Sequence, residues 1–142
     1  MNAQSFAMDT GILIKILRRK PDAAAFAGFT DAVINDAKIV IPQFVHFEML
    51  RGYSYANAEV REFAYRKFLS RYSIGRFSDN TWELAAKLYS DLRKGGWNIG
   101  DSDILIGAFC IENNYTLVTT NGKHFKNMPN LVFTDWTRDD FI

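Results

Sequence analysis

The chain has 142 residues, 48% of them apolar, so it can form one domain with a hydrophobic core and is not a disordered chain. Its formal net charge is +1, which excludes binding to polyanions through a basic tail but leaves a local basic face open. Its only cysteine, Cys110, excludes an intramolecular disulfide. The sequence has no apolar run of roughly 20 residues, and residues 1–8 have no signal-peptide pattern. It therefore predicts one cytoplasmic domain over residues 1–142 that does not enter a membrane.

The first half of the chain alternates short apolar strands with helices. Strands are predicted at 5–8 and 38–41, and helices at 11–19, 22–36, 42–53 and 58–71. Pro42 directly follows the second strand and suits the first position of a helix. The apolar residues predicted to face the core from that helix are Phe44, Phe47, Met49 and Leu50.

The second half continues the alternation. A strand is predicted at 72–77, an apolar helix at 104–111, and strands at 117–119 and 131–133. Between them, Asp79 is predicted to cap an amphipathic helix that Gly95 and Gly96 terminate. The residues at helical spacing on its apolar face are Trp82, Leu84, Ala85, Leu88, Tyr89 and Leu92. This order predicts an α/β fold with helices on both faces of a parallel sheet.

Four polar residues occupy places where the chain turns from a strand towards a helix. They are Asp9, Glu48, Asp103 and Asn121, and the three acids are flanked by apolar residues. The carboxyl ends of parallel strands meet at one crevice, so we expect these side chains to converge there. Because a carboxylate beside a core is costly unless a positive group meets it, the expected ligand is a divalent cation.

Each of these residues also has a purely structural interpretation. Asp9 and the acidic run at 101–103 can cap the helices that follow them. Glu48 can form a surface ion pair with Arg51, three positions later. Asn121 can serve as a turn residue ahead of a glycine.

Clustered carboxylates would suit the chemistry of a hard metal ion. Three carboxylates within several ångströms repel one another. A Mg²⁺ or Mn²⁺ ion, which prefers oxygen ligands, would offset that repulsion. An ion held there can polarise a phosphoryl oxygen and activate water, which suits hydrolysis of a phosphodiester. His46 and His124 lie too far apart in the sequence to suggest a zinc site, and no glycine-rich phosphate loop supports nucleotide triphosphate chemistry.

At these residues the chain resembles the PIN-domain family and, within it, the VapC-type toxins of bacterial type II toxin–antitoxin pairs. The resemblance covers about residues 5–136 and depends on the order and spacing of several short motifs. They are MDTGILI at 8–14, IPQ at 41–43, EMLRG at 48–52, IGDSDILIGA at 99–108, YTLVTTN at 115–121 and FKNMPNL at 125–131.

The resemblance implies a three-layer α/β/α fold, with a central parallel sheet of four to five short strands, and a Mg²⁺- or Mn²⁺-dependent endoribonuclease. Carried over by position, Asp9, Glu48 and Asp103 form the catalytic acidic triad, with Asp9 and Asp103 as the main metal ligands and Glu48 binding directly or through water. Asn121 matches a fourth position that is often aspartate, so a second ion should bind more weakly here. Thr10 is expected to orient Asp9 or a water.

The resemblance also implies partners. The RNA substrate could be a transfer or a ribosomal RNA, and a cognate antitoxin would neutralise the chain. Operator DNA would be bound only through that antitoxin, and the chain would form a homodimer and a hetero-oligomer with the antitoxin. Asp101 matches no fixed position of the family and stays a reserve candidate.

Residues that could bind RNA or a partner are less clearly marked. The cations that could flank the crevice are Lys15, Arg18, Arg19, Arg51, Lys123 and His124. Trp97 could stack on a base or pack in the core. Aromatic residues of the helix pair in 42–72 could form a groove for a partner helix or a second copy of the chain.

Two other functions remain possible from the sequence. One is a catalytically silent PIN-like module that acts through protein contacts, against which the full acidic triad argues. The other is a phosphoryl enzyme that uses Asp9 as phosphate acceptor, but residue 11, where a second acid would be needed, is glycine.

Overall fold

The computed structural model describes residues 4–138. In that part of the chain, five strands alternate with seven helices. The strands are β1 (Ser5–Met8), β2 (Lys38–Pro42), β3 (Ser73–Gly75), β4 (Thr116–Val118) and β5 (Phe133–Thr134). The helices are α1 (Thr10–Leu17), α2 (Ala23–Ile34), α3 (Gln43–Ala56), α4 (Glu59–Leu69), α5 (Asp79–Lys94), α6 (Asp101–Asn113) and α7 (Gly122–Phe125).

The strands form one parallel sheet in the order β3-β2-β1-β4-β5. In the centre, Ala7 of β1 pairs with Val40 on one side and Leu117 on the other. Because crossovers between parallel strands are right-handed, α1 to α4 cover one face and α5 and α6 the other. The predicted α/β fold with a central parallel sheet is thereby confirmed.

The strand order reverses between β1 and β4. The chain leaves β1 towards β2, whereas it leaves β4 in the opposite direction, towards β5. In open α/β sheets, such a switch point leaves a crevice at the carboxyl ends of the two strands. Asp9 directly follows β1 and Thr119 directly follows β4, so both residues stand at this crevice.

The core lies along β1, β2, β4 and the inner face of α6. Ala7, Met8, Ile41 and Leu117 are fully buried, and so is Ile106 on α6. This burial on both faces of the sheet explains why the central strands read as continuous apolar runs and not as alternating ones.

Three aromatic residues predicted to face the core lie on the surface instead. Phe47 of α3 is 51% exposed, and Trp82 and Tyr89 of α5 are 52% and 40% exposed. On α5 the buried side is formed by Thr81, Ala85, Leu88 and Leu92. The predicted apolar faces are otherwise correct, since Ala85, Leu88 and Leu92 of α5 and Met49 of α3 are buried, so the three aromatic residues lie at the exposed edges of those faces.

Several boundaries also differ from those predicted. Pro42 ends β2 and precedes α3, and Ser78, not Asp79, caps α5 through its side-chain oxygen. The last strand comprises Phe133 and Thr134, so it begins two residues later than expected and ends one residue later. The short helix α7 was not predicted, since four residues are too few for a periodic pattern.

Within residues 4–138, no helix is both long enough and apolar enough to cross a membrane.

Two glycines provide a matched test of the packing. A β-carbon at Gly75 would lie 2.2 Å from the ring of Phe109, which is buried and stacked on Phe77, whereas one at Gly52 of α3 meets nothing within 4 Å. We expect Gly75→Ala to lower the free energy of unfolding by about 1–3 kcal/mol through overpacking. Gly52→Ala should raise it by about 0.5–1 kcal/mol through helix propensity. Urea denaturation measures both, and equal effects of the two changes would contradict this packing.

Candidate active site

Asp9 is the buried centre of the site. It is 6% exposed, and its backbone N–H donates to the carbonyl of Val118 (2.9 Å), which joins it to β4. Its Oδ1 accepts from the backbone N–H of Thr10 (2.8 Å), and its Oδ2 accepts from the hydroxyl of Thr119 (2.7 Å). The capping interpretation is therefore correct for one oxygen, while the other is held by the neighbouring strand.

Burial and the charges of two other predicted acids both act on the carboxyl of Asp9. Burial raises the pKa of its carboxyl above the usual value, and the charges of Asp103 and Glu48 raise it further. The hydrogen bonds from Thr119 and Thr10 stabilise the ionised form and oppose part of that rise. The fold thus concentrates negative charge at the switch point of the sheet.

Glu48 projects from α3 towards the same crevice. Its Oε1 accepts from the hydroxyl of Thr10 (2.8 Å), and its Oε2 lies 3.5 Å from the hydroxyl of Ser102 and 3.4 Å from Nη2 of Arg51. The ion pair with Arg51 was one of its two interpretations, but Glu48 also contacts α1 and α6. Thr10, which contacts both Asp9 and Glu48, connects two of the predicted acids directly.

Asp103 lies in the first turn of α6. Its Oδ2 is 2.9 Å from Nδ1 of His124, and the carboxylate is largely buried. The N-cap of α6 is Gly100, whose position has no side-chain cap bond, so neither Asp101 nor Asp103 acts as the cap. Within residues 4–138, the side chain of Asp101 has no hydrogen bond or ion pair and is exposed, which sets it apart from the other acids.

Asn121 is placed beside the acids by α7. Its backbone N–H donates to the hydroxyl oxygen of Thr119 (3.0 Å), and its carbonyl accepts from the backbone N–H of His124 (2.8 Å). The residue is exposed, and the described part of the chain offers its side-chain amide no hydrogen-bond partner. The backbone of Asn121 therefore contacts two residues that bond to Asp9 and Asp103, and its side chain is exposed.

Three residues of the site were not recognised as such in the sequence. Thr119 is fully buried and bonds to Asp9, Ser102 approaches Glu48, and His124 pairs with Asp103. Thr119 could have been found from its position, because, like Asp9, it is a polar residue at the carboxyl end of an apolar strand. His124 was considered only as a cation, because its partner lies 21 residues away.

The donor set fits Mg²⁺ or Mn²⁺ better than a softer metal. Asp9, Glu48 and Asp103 offer carboxylate oxygens, and the neighbouring Thr10 and Thr119 add hydroxyls, all of them hard ligands. Among residues 4–138, no three His, Cys, Asp or Glu side chains stand close enough to form a ready-made metal cluster. Mg²⁺ commonly uses only one or two carboxylates and keeps several waters, so two of these acids would suffice to hold an ion whose remaining ligands are water.

The predicted cations have different surroundings. Lys15 approaches Asp22 (4.0 Å), Arg51 contacts Glu48 and His124 contacts Asp103, while Lys123 is exposed on α7. Arg18 and Arg19 line a hollow of about 550 Å³ between α1, α3 and α4, which we call the α1–α4 groove. Its wall residues are Ile14, Leu17, Arg18, Arg19, Glu48, Met49, Gly52, Tyr53, Ala56, Ala58, Val60 and Arg61.

A larger hollow of about 770 Å³ lies at the opposite end of the sheet, by Gln4 and Trp136, and none of the four predicted site residues lines it. The predicted site residues and this second hollow are therefore at different ends of the sheet. The α1–α4 groove, in contrast, has Glu48 in its wall.

Comparison with known proteins agrees with the fold and the motifs. The PIN domain family profile matches residues 7–131. The chain is 31% identical to ribonuclease VapC2 of Rickettsia felis, over 94% of this chain and 98% of that protein. It is 29% identical to ribonuclease VapC19 of Mycobacterium tuberculosis, over 87% of this chain and 94% of that protein.

Two solved structures show the same architecture. One chain of VapBC2 from Rickettsia felis, bound to a DNA fragment from its promoter, matches with a TM-score of 0.84 and 30% identity, covering 94% of this chain and 99% of that one. A chain of VapBC-1 from nontypeable Haemophilus influenzae matches with a TM-score of 0.82, covering 95% of this chain and 100% of that one. At 23% identity, the second likeness shows the fold alone.

The raised pKa of Asp9 predicts how stability depends on pH. A carboxyl whose folded pKa exceeds its unfolded value of 3.8 favours the fold below pH 3.8, and that contribution is lost as the pH rises through the folded pKa. In EDTA at pH 7, we expect Asp9→Asn to raise the free energy of unfolding by about 1 kcal/mol, a gain that disappears towards pH 4. Denaturation at both pH values measures it.

The exposed neighbour Asp101 supplies the control: its charge lies in the first turn of α6 and favours the helix dipole, so Asp101→Asn should slightly lower the free energy of unfolding at pH 7, the opposite of the change expected for Asp9→Asn. A loss of stability in Asp9→Asn at neutral pH would show that the ionised carboxylate is not under electrostatic strain.

Proposed function

Because this chain belongs to the PIN domain family, we propose that it is the toxin of a type II toxin–antitoxin pair and acts as a metal-dependent endoribonuclease. The observation that carries the proposal is the buried Asp9 carboxylate, whose pKa is raised by its burial and by the charges of Glu48 and Asp103. Such a concentration of negative charge costs stability and is expected where a site needs it for function. RNA and an antitoxin as partners would place its action in the cytoplasm.

Each residue of the cluster has a definite part in this proposal. Asp9 and Asp103 would hold Mg²⁺ or Mn²⁺, and Glu48 would complete the site directly or through water. Thr119 and the backbone N–H of Thr10 fix both oxygens of Asp9, and His124 fixes one oxygen of Asp103. The bound cation would polarise the phosphodiester and promote attack by water.

Asn121 would contribute differently from a fourth acid. Its amide oxygen can approach an ion or a phosphate without adding negative charge, whereas its side-chain N–H groups can donate to a phosphate oxygen. The site would therefore carry three carboxylates and not four, which favours one tightly bound ion over two.

The structure offers less support for phosphorylation of Asp9. A phosphoryl group on Asp9 would add negative charge to a buried carboxylate that already feels the charges of Glu48 and Asp103, whereas a cation would offset that charge. Residue 11 is glycine, with no acid in the position that such an enzyme needs.

The antitoxin would inhibit the enzyme by occupying the α1–α4 groove. The groove is largely apolar and carries Arg18, Arg19, Arg61 and Glu48 on its wall. An amphipathic segment with acidic flanks complements this surface and would end beside the catalytic acids. Operator DNA would be bound through the antitoxin, as a VapBC2 complex of Rickettsia felis is bound to a promoter fragment. We also expect a homodimer.

The catalytic proposal predicts metal-dependent cleavage of RNA. With Mg²⁺ the purified chain should cut RNA, and EDTA should abolish the activity. Asp9→Asn and Asp103→Asn should each lower kcat by at least about 100-fold, because each removes a charge that would hold the ion. Gel analysis of end-labelled RNA measures the rates.

Asp101→Asn is the matched control, since it changes an acid of the same helical turn that lies outside the cluster, and it should retain activity. Cleavage that survives Asp9→Asn, or that proceeds in EDTA, would contradict the proposed mechanism.

The groove proposal predicts separable effects on inhibition and catalysis. We expect a short gene for the antitoxin beside the gene for this chain, and its product should bind the chain tightly. Val60→Asp, at an 84% exposed position of the groove, should weaken that binding at least about tenfold, since it places a charge in an apolar contact. Calorimetry measures the affinity, and RNA cleavage should be retained.

Val132→Asp is the control, because Val132 is also exposed (63%) but lines the hollow at the opposite end of the sheet. Equal weakening by both changes would show that the antitoxin does not depend on the α1–α4 groove.

A further inference from the structure

An exposed aromatic ring and a guanidinium group stand together at the rim of the acidic cluster. Phe47 and Arg51 lie one turn apart on α3, and Cζ of Arg51 is 5.0 Å from the centre of the Phe47 ring. Nη2 of the same guanidinium is 3.4 Å from Oε2 of Glu48. The pair is therefore in direct contact with one of the three site acids, and we call it the Phe47–Arg51 rim.

Neither residue is buried in the core. Phe47 is 51% exposed although smaller residues of the same helix, Val45 and Met49, are buried. The side chain of Arg51 is 58% exposed, so its ion pair with Glu48 contributes little to stability. Phe44 packs against the core, and the centre of its ring lies 5.6 Å from the centre of the Phe47 ring. The rim is thus anchored on one side and open to solvent on the other.

We propose that the Phe47–Arg51 rim is the subsite for the nucleotide next to the scissile phosphate of a single-stranded RNA substrate. This inference rests on the proposed ribonuclease function. The base stacks on the open part of the Phe47 ring, and Arg51 binds the adjoining phosphate while it remains beside Glu48. Proteins that hold single-stranded nucleic acid combine these two elements, an aromatic platform and a cation that follows the backbone.

Charge and position favour RNA over a protein segment at this rim. The acidic cluster repels a polyanion, so a substrate phosphate needs a cation at its edge, and Arg51 is the guanidinium in contact with a cluster carboxylate. Phe47 does not line the α1–α4 groove, whose wall includes other residues of the same helix, such as Met49 and Tyr53. An antitoxin segment in the groove and a base on Phe47 would therefore occupy adjacent but different surfaces.

The test compares substitutions that keep or remove a stacking surface. Phe47→Leu retains an apolar side chain but no ring face, whereas Phe47→Trp retains the ring face. With a short single-stranded RNA that contains one mapped cleavage site, Phe47→Leu should raise KM about tenfold with little change in kcat. Phe47→Trp should have the same KM as the wild type.

A second readout identifies the stacked base. An RNA with an abasic nucleotide beside the cleavage site has nothing to stack, so wild type and Phe47→Leu should show the same KM with it. Arg51→Ala should also lower the salt dependence of RNA binding by about one unit of slope, as expected for one lost phosphate contact. Fluorescence anisotropy in the Asp9→Asn background measures that binding without cleavage.

The matched control lies on α4, where Phe63 and Lys67 repeat the spacing of four between an exposed aromatic residue and an exposed cation. Phe63→Leu and Lys67→Ala should leave KM and the salt slope unchanged. The subsite is refuted if the rim variants behave like these controls while wild type cleaves RNA, or if they weaken only the binding of antitoxin. A wild-type chain that neither binds nor cleaves RNA would refute the ribonuclease proposal together with the subsite.

Discussion

The rest of the site depends on one buried carboxylate. Asp9 is carried into the interior by the central strand and held there by the hydroxyl of Thr119 and the backbone N–H of Thr10. Burial and the charges of two acids from distant parts of the chain disfavour its ionised form. The folded protein therefore holds a carboxylate whose negative charge is electrostatically unfavourable. A divalent cation would stabilise the ionised carboxylate. The group that lowers the stability of the fold would thus be the one that the proposed chemistry uses.

The sheet topology explains why these groups meet. Asp9 and Thr119 follow adjacent strands at the point where the strand order reverses, and the helices on the two faces contribute the remaining acids. Glu48 comes from α3 on one face of the sheet, and Asp103 comes from α6 on the other. The carboxylate of Asp9, at the end of β1, lies between these two layers. The site therefore needs both layers of helices, and it requires no long loop.

The sequence predicted the parallel sheet well because its central strands are short β-branched or apolar runs that adjoin turns or helix starts. It also predicted which acids to consider, since Asp9 and Asp103 precede apolar helices. It did not predict the partners of those acids, because the contacts of Asp103 with His124 and of Asp9 with Thr119 span 21 and 110 residues. The exposure of Phe47 was missed for a similar reason: helical periodicity identifies an apolar stripe but not where the stripe reaches the edge of the core.

Calorimetric titration of the purified chain with Mn²⁺, in the absence of RNA, tests the central claim most directly. The account predicts a binding event in the wild-type chain and in Asp101→Asn that is lost in Asp9→Asn, because only the buried carboxylate belongs to the cluster. A wild-type chain that binds no Mn²⁺, or an Asp9→Asn variant that binds it equally well, would contradict the claim that Asp9 is the centre of a metal site.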